Sequence, residues 1–526
     1  MTLMHPGTAR ETLEISSVIG GELLAGGTTA TSTNPAELED VVANVRFGDA
    51  ETFLRACTVA AEAQKRWAAT PAPVRGQVIA NMAELFRHNR RALAELVTRE
   101  IGKPIAEALG EVQEVIDTSE FFLSEGRRLY GMTVPSEMSD KQLFTFRNPV
   151  GVAAIITAGN FPVAVPSWYI VPALLCGNAV VWKPADYSPA CAHAMCEVMW
   201  HAGVPADVLN LVQVHGATAS EGLELALDRG LVHKVGFTGS TEVGRRLGEL
   251  CGRHLQTPCL ELGGKNPLVV MPDANLELAV EGALFSGFGT GGQRCTSLGT
   301  AIVHESVHDE FLSKFVAAVE GAAIGDPTTD VLYGPLLDER FLRSFERDHL
   351  GLIRDHHSVH GSSDVGRITG SKPRAGFVGG DPERGIFCHP TIVSGVRVDD
   401  ELANTETFGP LVGVAKFADW EEAMALANGH GYGLSSAIYT NDPRSAFRFR
   451  AQVSAGMVSV NNSTSGAEAH LPFGGNGKSG NGARQSGVWV LDQFTRWQSM
   501  NWDYAGKLQK AQMDVAEITA DLDFRL

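Results

Sequence analysis

An α/β fold built from two doubly wound parallel sheets is predicted by three observations. From Pro149 onward, short apolar runs alternate with helical stretches, the texture of βαβ units. A second series of the same kind begins after Glu261. At 526 residues the chain is too long for one core and calls for two to four domains.

The elements follow in chain order. Residues 1–35 read as irregular, with a Gly/Thr-rich stretch at 25–33. Between Ala50 and Gly126 apolar residues recur at helical spacing. They predict helices over 50–68, 74–88, 91–101 and 105–125, broken by Pro71, Pro73 and Gly102–Lys103–Pro104. On the last of these, Leu109, Val112 and Ile116 form the apolar stripe. Glu107, Glu111 and Glu114 line another face, whose ordinary reading is a solvated one. Gln142–Arg147 reads as a short amphipathic strand. Strands of the first α/β series are expected at 152–157, 179–182, 209–214 and 234–237. Those of the second fall at 267–271, 300–304, 411–417, 434–440 and 457–461, and residues 356–385 read as a flexible surface insertion. Two α/β domains meeting near Glu261 would put that glutamate and Cys295 at a domain interface, where ligand clefts usually lie.

A formal net charge of −18 argues against nonspecific nucleic-acid binding, which needs a basic surface. The eight cysteines are scattered without disulfide-framework spacing, which favours a reducing compartment. No apolar segment follows a basic N-terminal region, and Pro166, Pro172, Gly177 and Asn178 interrupt the longest apolar stretch. The expectation is a cytoplasmic protein with no membrane or nucleic-acid partner.

The strongest chemical signal is Cys295 at the end of GFGTGGQRCTS (287–297), 34 positions after the glutamate of LELGGKN. A thiolate is a strong nucleophile, and neighbouring glycines allow close approach of substrate and cofactor. In VGFTGSTEVG (235–244), Gly239 and Gly244 would let a dinucleotide pyrophosphate reach a helix N-terminus, with Ser240 as a donor. The spacing is G-x-x-x-x-G, so alone it fits a plain strand–helix turn equally well. Lys183 and Asp186 end another strand, where they suit an adenosine ribose; the acid would repel a 2′-phosphate. Asn160, just after a strand, offers an amide to a developing oxyanion, or merely opens a turn before Phe-Pro. Two features are set aside. GGNGKSGNG (474–482) lacks the first P-loop glycine and a preceding strand. Asp355, His356, His357 and His360 sit in the insertion without a second ligand cluster, so no metal is expected.

Taken together, NFPVAVPSW, WKPADYSP, FTGSTEVG, LELGGKNP, GQRCTS, ETFGP and PFGG-x-GKSG resemble the aldehyde dehydrogenase superfamily, in its order and over about residues 20–515. GEVQEVID (110–117) and STSGAEAHLPFGG (463–475) are similar to its antiquitin branch, the α-aminoadipic semialdehyde (piperideine-6-carboxylate) dehydrogenases. The resemblance implies a Rossmann-like NAD domain (20–140 and 151–260), a catalytic domain (261–486) and a bridging arm (141–150 and 487–526) that builds homodimers or homotetramers. It implies that Cys295 attacks the aldehyde, that Asn160 and the Cys295 N–H hold the oxyanion, and that Glu261 activates water against the thioester. Glu406 and Phe408 of ETFGP would meet the nicotinamide ribose side of NAD. Glu114 and Arg294 would bind a zwitterionic head, with the N–H groups of Gly466 and Ala467, while Trp168 and Phe473 wall the aliphatic chain. The implied reaction is oxidation of α-aminoadipic semialdehyde in lysine breakdown. The alternatives are another aliphatic or aromatic aldehyde, a CoA-acylating enzyme, which typically lacks the activating glutamate, or a non-catalytic lens-crystallin relative. Asp186 replaces the family's commoner glutamate, which bears on NAD over NADP. LVGV after ETFGP and KNPLVV after LELGG resemble general aldehyde dehydrogenases, which bears on the substrate.

Overall fold

The computed structural model describes residues 11–515 and 517–526. Four helices follow the N-terminal strands: α1 (Ala50–Ala69), α2 (Ala72–His88), α3 (Arg90–Ile101) and α4 (Ile105–Arg128), matching the predicted set to within a few residues. Prolines 71 and 104 sit at the N-caps of α2 and α4, and Gly102 ends α3 in the left-handed conformation.

The first sheet carries five parallel strands in the spatial order 259–261, 234–238, 152–156, 179–183, 209–211. Every residue of Val152–Ile155 and Ala179–Lys183 is buried, as strands covered by helices on both faces should be. Chain order reverses between strands 152–156 and 234–238. Ligands of open α/β sheets bind at such a switch point, beyond the strands' C-terminal ends. A hairpin of residues 18–19 and 22–23 extends the far edge.

The second sheet runs 358–360, 391–394, 411–417, 298–304, 266–270, 435–439, 457–460, all parallel except the first. Lys141–Pro149 pairs antiparallel with Thr495–Asp503 over nine residue pairs, and Thr133–Val134 completes this ribbon as a sheet separate from the other two. Beyond Thr495 each residue of the second ribbon strand is exposed.

Two expectations are corrected. The Gly/Thr-rich stretch is not irregular: Thr28–Asn34 pairs with Glu37–Phe47, because β-branched threonines suit a pleated strand. Within the supposed loop 356–385, Ser358–His360 forms the edge of the second sheet and Phe377–Val378 pairs with Ile324–Gly325. Among the described residues no helix is long and apolar enough to cross a membrane.

Candidate active site

The cysteine loop follows α9 (Leu276–Phe288) through one tight 3-10 turn. Thr290, Gly291 and Gly292 have φ of 51°, 62° and 70°, a left-handed run that only glycines adopt cheaply. A Cβ on Gly292 would drive into the Gly409 carbonyl, so the loop packs directly on backbone. Cys295 is half-buried at its end, whereas the other seven cysteines are buried. Its carbonyl accepts the Asn266 amide at 2.8 Å. Burial, reinforced by the carboxyls of Glu406 and Glu261, pushes its thiol up to about 12.

Glu261 ends strand 259–261 and is 2 % exposed. Its Oε2 accepts the Gly475 N–H at 3.1 Å, and its Oε1 has no partner. Burial holds it well above the usual carboxylate range. The rejected P-loop look-alike therefore has a different job: Gly475 is the donor that steadies this glutamate. Asn160 lies beyond strand 152–156, with Nδ2 donating to the Gln293 carbonyl at 2.8 Å. One amide hydrogen is thus spent on the cysteine loop, which aims the second, and the two loops meet at this bond.

The coenzyme candidates gather along the switch point. Ser240 caps α8 (Thr241–Arg253), its Oγ accepting from the Val243 N–H at 3.3 Å, and Gly239 donates to the Glu261 carbonyl at 3.2 Å. A Cβ on Gly244 would collide with Leu262, so this glycine permits close packing of α8. Lys183 Nζ lies 2.6 Å from Asp186, whose other oxygen meets His215 Nδ1 at 3.1 Å. Burial works against ionisation of Asp186, but Lys183 and His215 outweigh it and keep the carboxyl below its usual range. His215 itself stacks on Phe47 at 4.1 Å. Glu406 Oε1 accepts the Gly264 N–H at 3.0 Å, and burial raises this carboxyl to about 7. Phe408 is left-handed, with φ of 38°, its ring 5.8 Å from that of Phe341. The donor chemistry fits a nicotinamide dinucleotide: a helix N-terminus for pyrophosphate, a cation–acid pair at a strand end for one ribose, a buried acid for the other.

Trp168 and Phe473, the two expected walls of a substrate chain, pack with ring centroids 4.7 Å apart. A pocket is lined by Glu114, Asp117, Glu120, Ala467, Glu468 and His470. Burial, and then Glu111, push Glu114 up to about 8. The Trp168 indole faces this carboxyl and works weakly against that rise. Gly466, with φ of 137°, turns the chain into this wall. Arg294 pairs with Glu107 of α4, and its guanidinium lies 4.4 Å from the Phe285 ring.

Sequence reasoning did not find Lys103, His215 or Lys265, and read Glu107 and Glu111 as solvated. Lys265 is 1 % exposed, has an unpartnered Nζ, and is pushed down by burial to about 7. Nothing in the local sequence marks it beyond its place in LELGGKN.

The histidine group set aside at the outset does converge. His356 Nε2 and His357 Nε2 lie 3.1 and 2.9 Å from Asp400 oxygens. His357 Nδ1, however, accepts the Arg354 N–H at 3.0 Å, so Nε2 carries the proton and donates to Asp400. A metal would need that lone pair. Asp400 Oδ2 also accepts the Arg397 N–H at 2.7 Å, so the group fastens two turns together.

Comparison with known proteins agrees with this geometry. A family model described as "Aldehyde dehydrogenase family" matches residues 24–500. The chain is 38 % identical to an α-ketoglutarate semialdehyde dehydrogenase of Haloferax volcanii, over 89 % of this chain and 94 % of that protein. It is 34 % identical to an α-aminoadipic semialdehyde dehydrogenase of Bos taurus, covering 95 % and 90 %. Among solved structures, a betaine aldehyde dehydrogenase from Staphylococcus aureus in complex with NAD+ superposes with a TM-score of 0.87 at 27 % identity, covering 94 % and 96 %. An NADP-dependent enzyme of Escherichia coli gives 0.85 at 33 % identity, covering 93 % and 98 %.

Proposed function

The chain belongs to the aldehyde dehydrogenase family, and from that premise we propose that it oxidises a semialdehyde bearing an ammonium group at its far end, α-aminoadipic semialdehyde, to the carboxylic acid. The general reaction, NAD-dependent aldehyde oxidation through a cysteine nucleophile, is that of the family. In the proposed sequence Cys295 passes its proton to solvent water as Sγ adds to the aldehyde carbon. The free amide hydrogen of Asn160 and the Cys295 N–H hold the oxyanion. Bound NAD supplies the hydride acceptor, and the residue left on Cys295 is a thioester. Glu261 takes a proton from water, which attacks the thioester carbon and frees the acid and the thiol. Retention of Glu261 favours hydrolysis over transfer to CoA. Retention of Cys295 and Asn160 speaks against a purely structural relative.

One observation carries the choice of substrate: the buried carboxyl of Glu114 lining an acid-rimmed pocket. An ammonium would supply the charge that this carboxyl lacks. A second carboxylate, as in α-ketoglutarate semialdehyde, would meet Asp117, Glu120 and Glu468 at the rim. The α-carboxylate would fall to the N–H groups of Gly466 and Ala467, since Arg294 is engaged with Glu107. Glu114→Gln should lose roughly ten- to a hundredfold in kcat/KM on aminoadipic semialdehyde, about 1.5–3 kcal/mol, and little on a neutral aldehyde of similar length. Because Glu114 sits at about 8, KM for the ammonium substrate should fall as pH rises toward that value, while KM for the neutral one stays flat. Equal losses on both aldehydes, or better wild-type efficiency on a neutral or dicarboxylic one, would move the assignment to another aldehyde.

Coenzyme choice rests on Asp186, which faces the ribose position and favours NAD over NADP. Its pairing with both Lys183 and His215 limits the repulsion it exerts. Asp186→Ser, which frees Lys183, is expected to raise the ratio of NADP to NAD efficiency by about tenfold, or ~1.4 kcal/mol. An unchanged ratio would assign discrimination elsewhere. Eight unpaired cysteines support a reducing, cytoplasmic setting. The exposed ribbon of 141–149 with 495–503 supports subunit pairing into a homodimer or homotetramer.

A further inference from the structure

Glu107, Glu111 and Glu114 stand four and three residues apart on α4, so they share one stripe. The structure turns that stripe inward. Glu111 is 3 % exposed, and its Oε1 accepts the N–H groups of Val163 at 2.9 Å and Ala164 at 3.1 Å. These are the first amides of α5 (Ala164–Leu175), whose own N-cap is Val163, a residue with no capping side chain. The cap therefore comes from another helix, 52 residues upstream of Val163. Oε2 of Glu111 pairs with Lys103, also fully buried, whose Nζ lies 3.5 Å from the centroid of the Phe161 ring. The segment after Asn160 is thus held twice, at Phe161 and at Val163–Ala164. One turn back, Glu107 accepts the Thr290 N–H at 3.1 Å and pairs with Thr290 Oγ1 and Arg294. That fixes the facing loop, which ends at Cys295.

We infer that Glu111 is a positioning residue for the oxyanion site, acting through the amides of Val163 and Ala164 on Asn160, while Glu107 steadies the opposite loop. It rests on the reading that Asn160 holds the oxyanion. A local Ser or Asp cap would satisfy α5 equally well. A cap from α4 instead ties the Asn160 loop and the cysteine loop to one rigid body, which fixes the angle between nucleophile and oxyanion donor.

The test measures the pre-steady-state burst of NADH, which reports acylation, alongside NAD binding by fluorescence titration. Lys103→Met is the common background, because removing Glu111 alone would strand a buried ammonium. Lys103→Met/Glu111→Gln keeps the carbonyl acceptor and should retain the burst. Lys103→Met/Glu111→Leu loses it and should slow the burst about ten- to a hundredfold with unchanged NAD affinity. Added to Asn160→Ala, the same Leu substitution should slow the burst less than about threefold, since both act through one amide. Multiplicative losses in the two backgrounds, or a normal burst with only a lowered Tm, would overturn the inference. If the Leu variant does not fold, Glu111→Asp replaces it, with a partial loss expected beside Asn160 and none beside Asn160→Ala. An unaltered burst in Asn160→Ala alone would instead defeat the oxyanion reading.

Discussion

Cys295→Ala is expected to end aldehyde oxidation, lowering kcat by more than about 10⁴-fold, while NAD still binds. No other thiol can substitute. The remaining seven cysteines are buried, and burial raises Cys57, Cys176, Cys191, Cys196, Cys251, Cys259 and Cys388 above the ordinary thiol range. The residues proposed to contact the coenzyme, Lys183, Asp186, Ser240 and Glu406, make no hydrogen bond to the sulfur. A thiol held near 12 also predicts how the resting enzyme reacts. Alkylation of Cys295 by iodoacetamide should be slow at neutral pH and climb from pH 7 to 10 without levelling. A plateau near pH 8 would mean that a neighbouring group already ionises the cysteine. Residual turnover in Cys295→Ala above a few parts in ten thousand would remove the thioester route.

Much of this site was legible because its signals are local. A cysteine after consecutive glycines, a glutamate before two more and an asparagine beyond a strand can each be read in a short window. The parallel strands could be read from their continuous apolar runs. What could not be read is direction. Arg294 precedes Cys295, yet its guanidinium pairs with Glu107 of α4, and a sequence carries no sign of that pairing. Glu111 and Glu107 look solvated because helical periodicity separates faces without saying which one is covered. Their partners, Val163 and Thr290, lie 52 and 183 residues away. Gly244 reads as a phosphate-loop glycine, and its packing against Leu262 from a neighbouring strand end is equally invisible in the sequence. The Gly/Thr-rich stretch at 25–33 fails differently: Gly26 and Gly27 suggest a loop, while the threonines that follow favour a strand.

Glu261→Gln should slow turnover by about 10²–10⁴-fold while leaving one full burst of NADH, because an amide cannot take the proton from attacking water. Acylation needs only Cys295 and the oxyanion donors, so the thioester should accumulate and be visible by intact mass. If CoA restored turnover in wild type faster than water does, the hydrolytic role would be wrong. The pH dependence follows from burial, which holds Glu261 well above the usual carboxylate range. The base is the ionised form, so wild-type deacylation should rise with pH across a window well above that of ordinary carboxylates. The Gln variant should be flat there. Stability should move the other way. A carboxyl whose folded pKa is raised contributes stability that is complete below its unfolded value, near 4.5, and is lost as pH climbs through the folded one. At alkaline pH wild type carries a buried anion that Glu261→Gln does not, and the variant's Tm should exceed wild type there and converge with it toward acid. A glutamate that only braced the Gly474–Gly475 loop would give the reverse, with Tm lower at every pH and no trapped acyl-enzyme. Burst amplitude and the pH dependence of the Tm difference, measured on one pair of proteins, therefore distinguish a base from a strut.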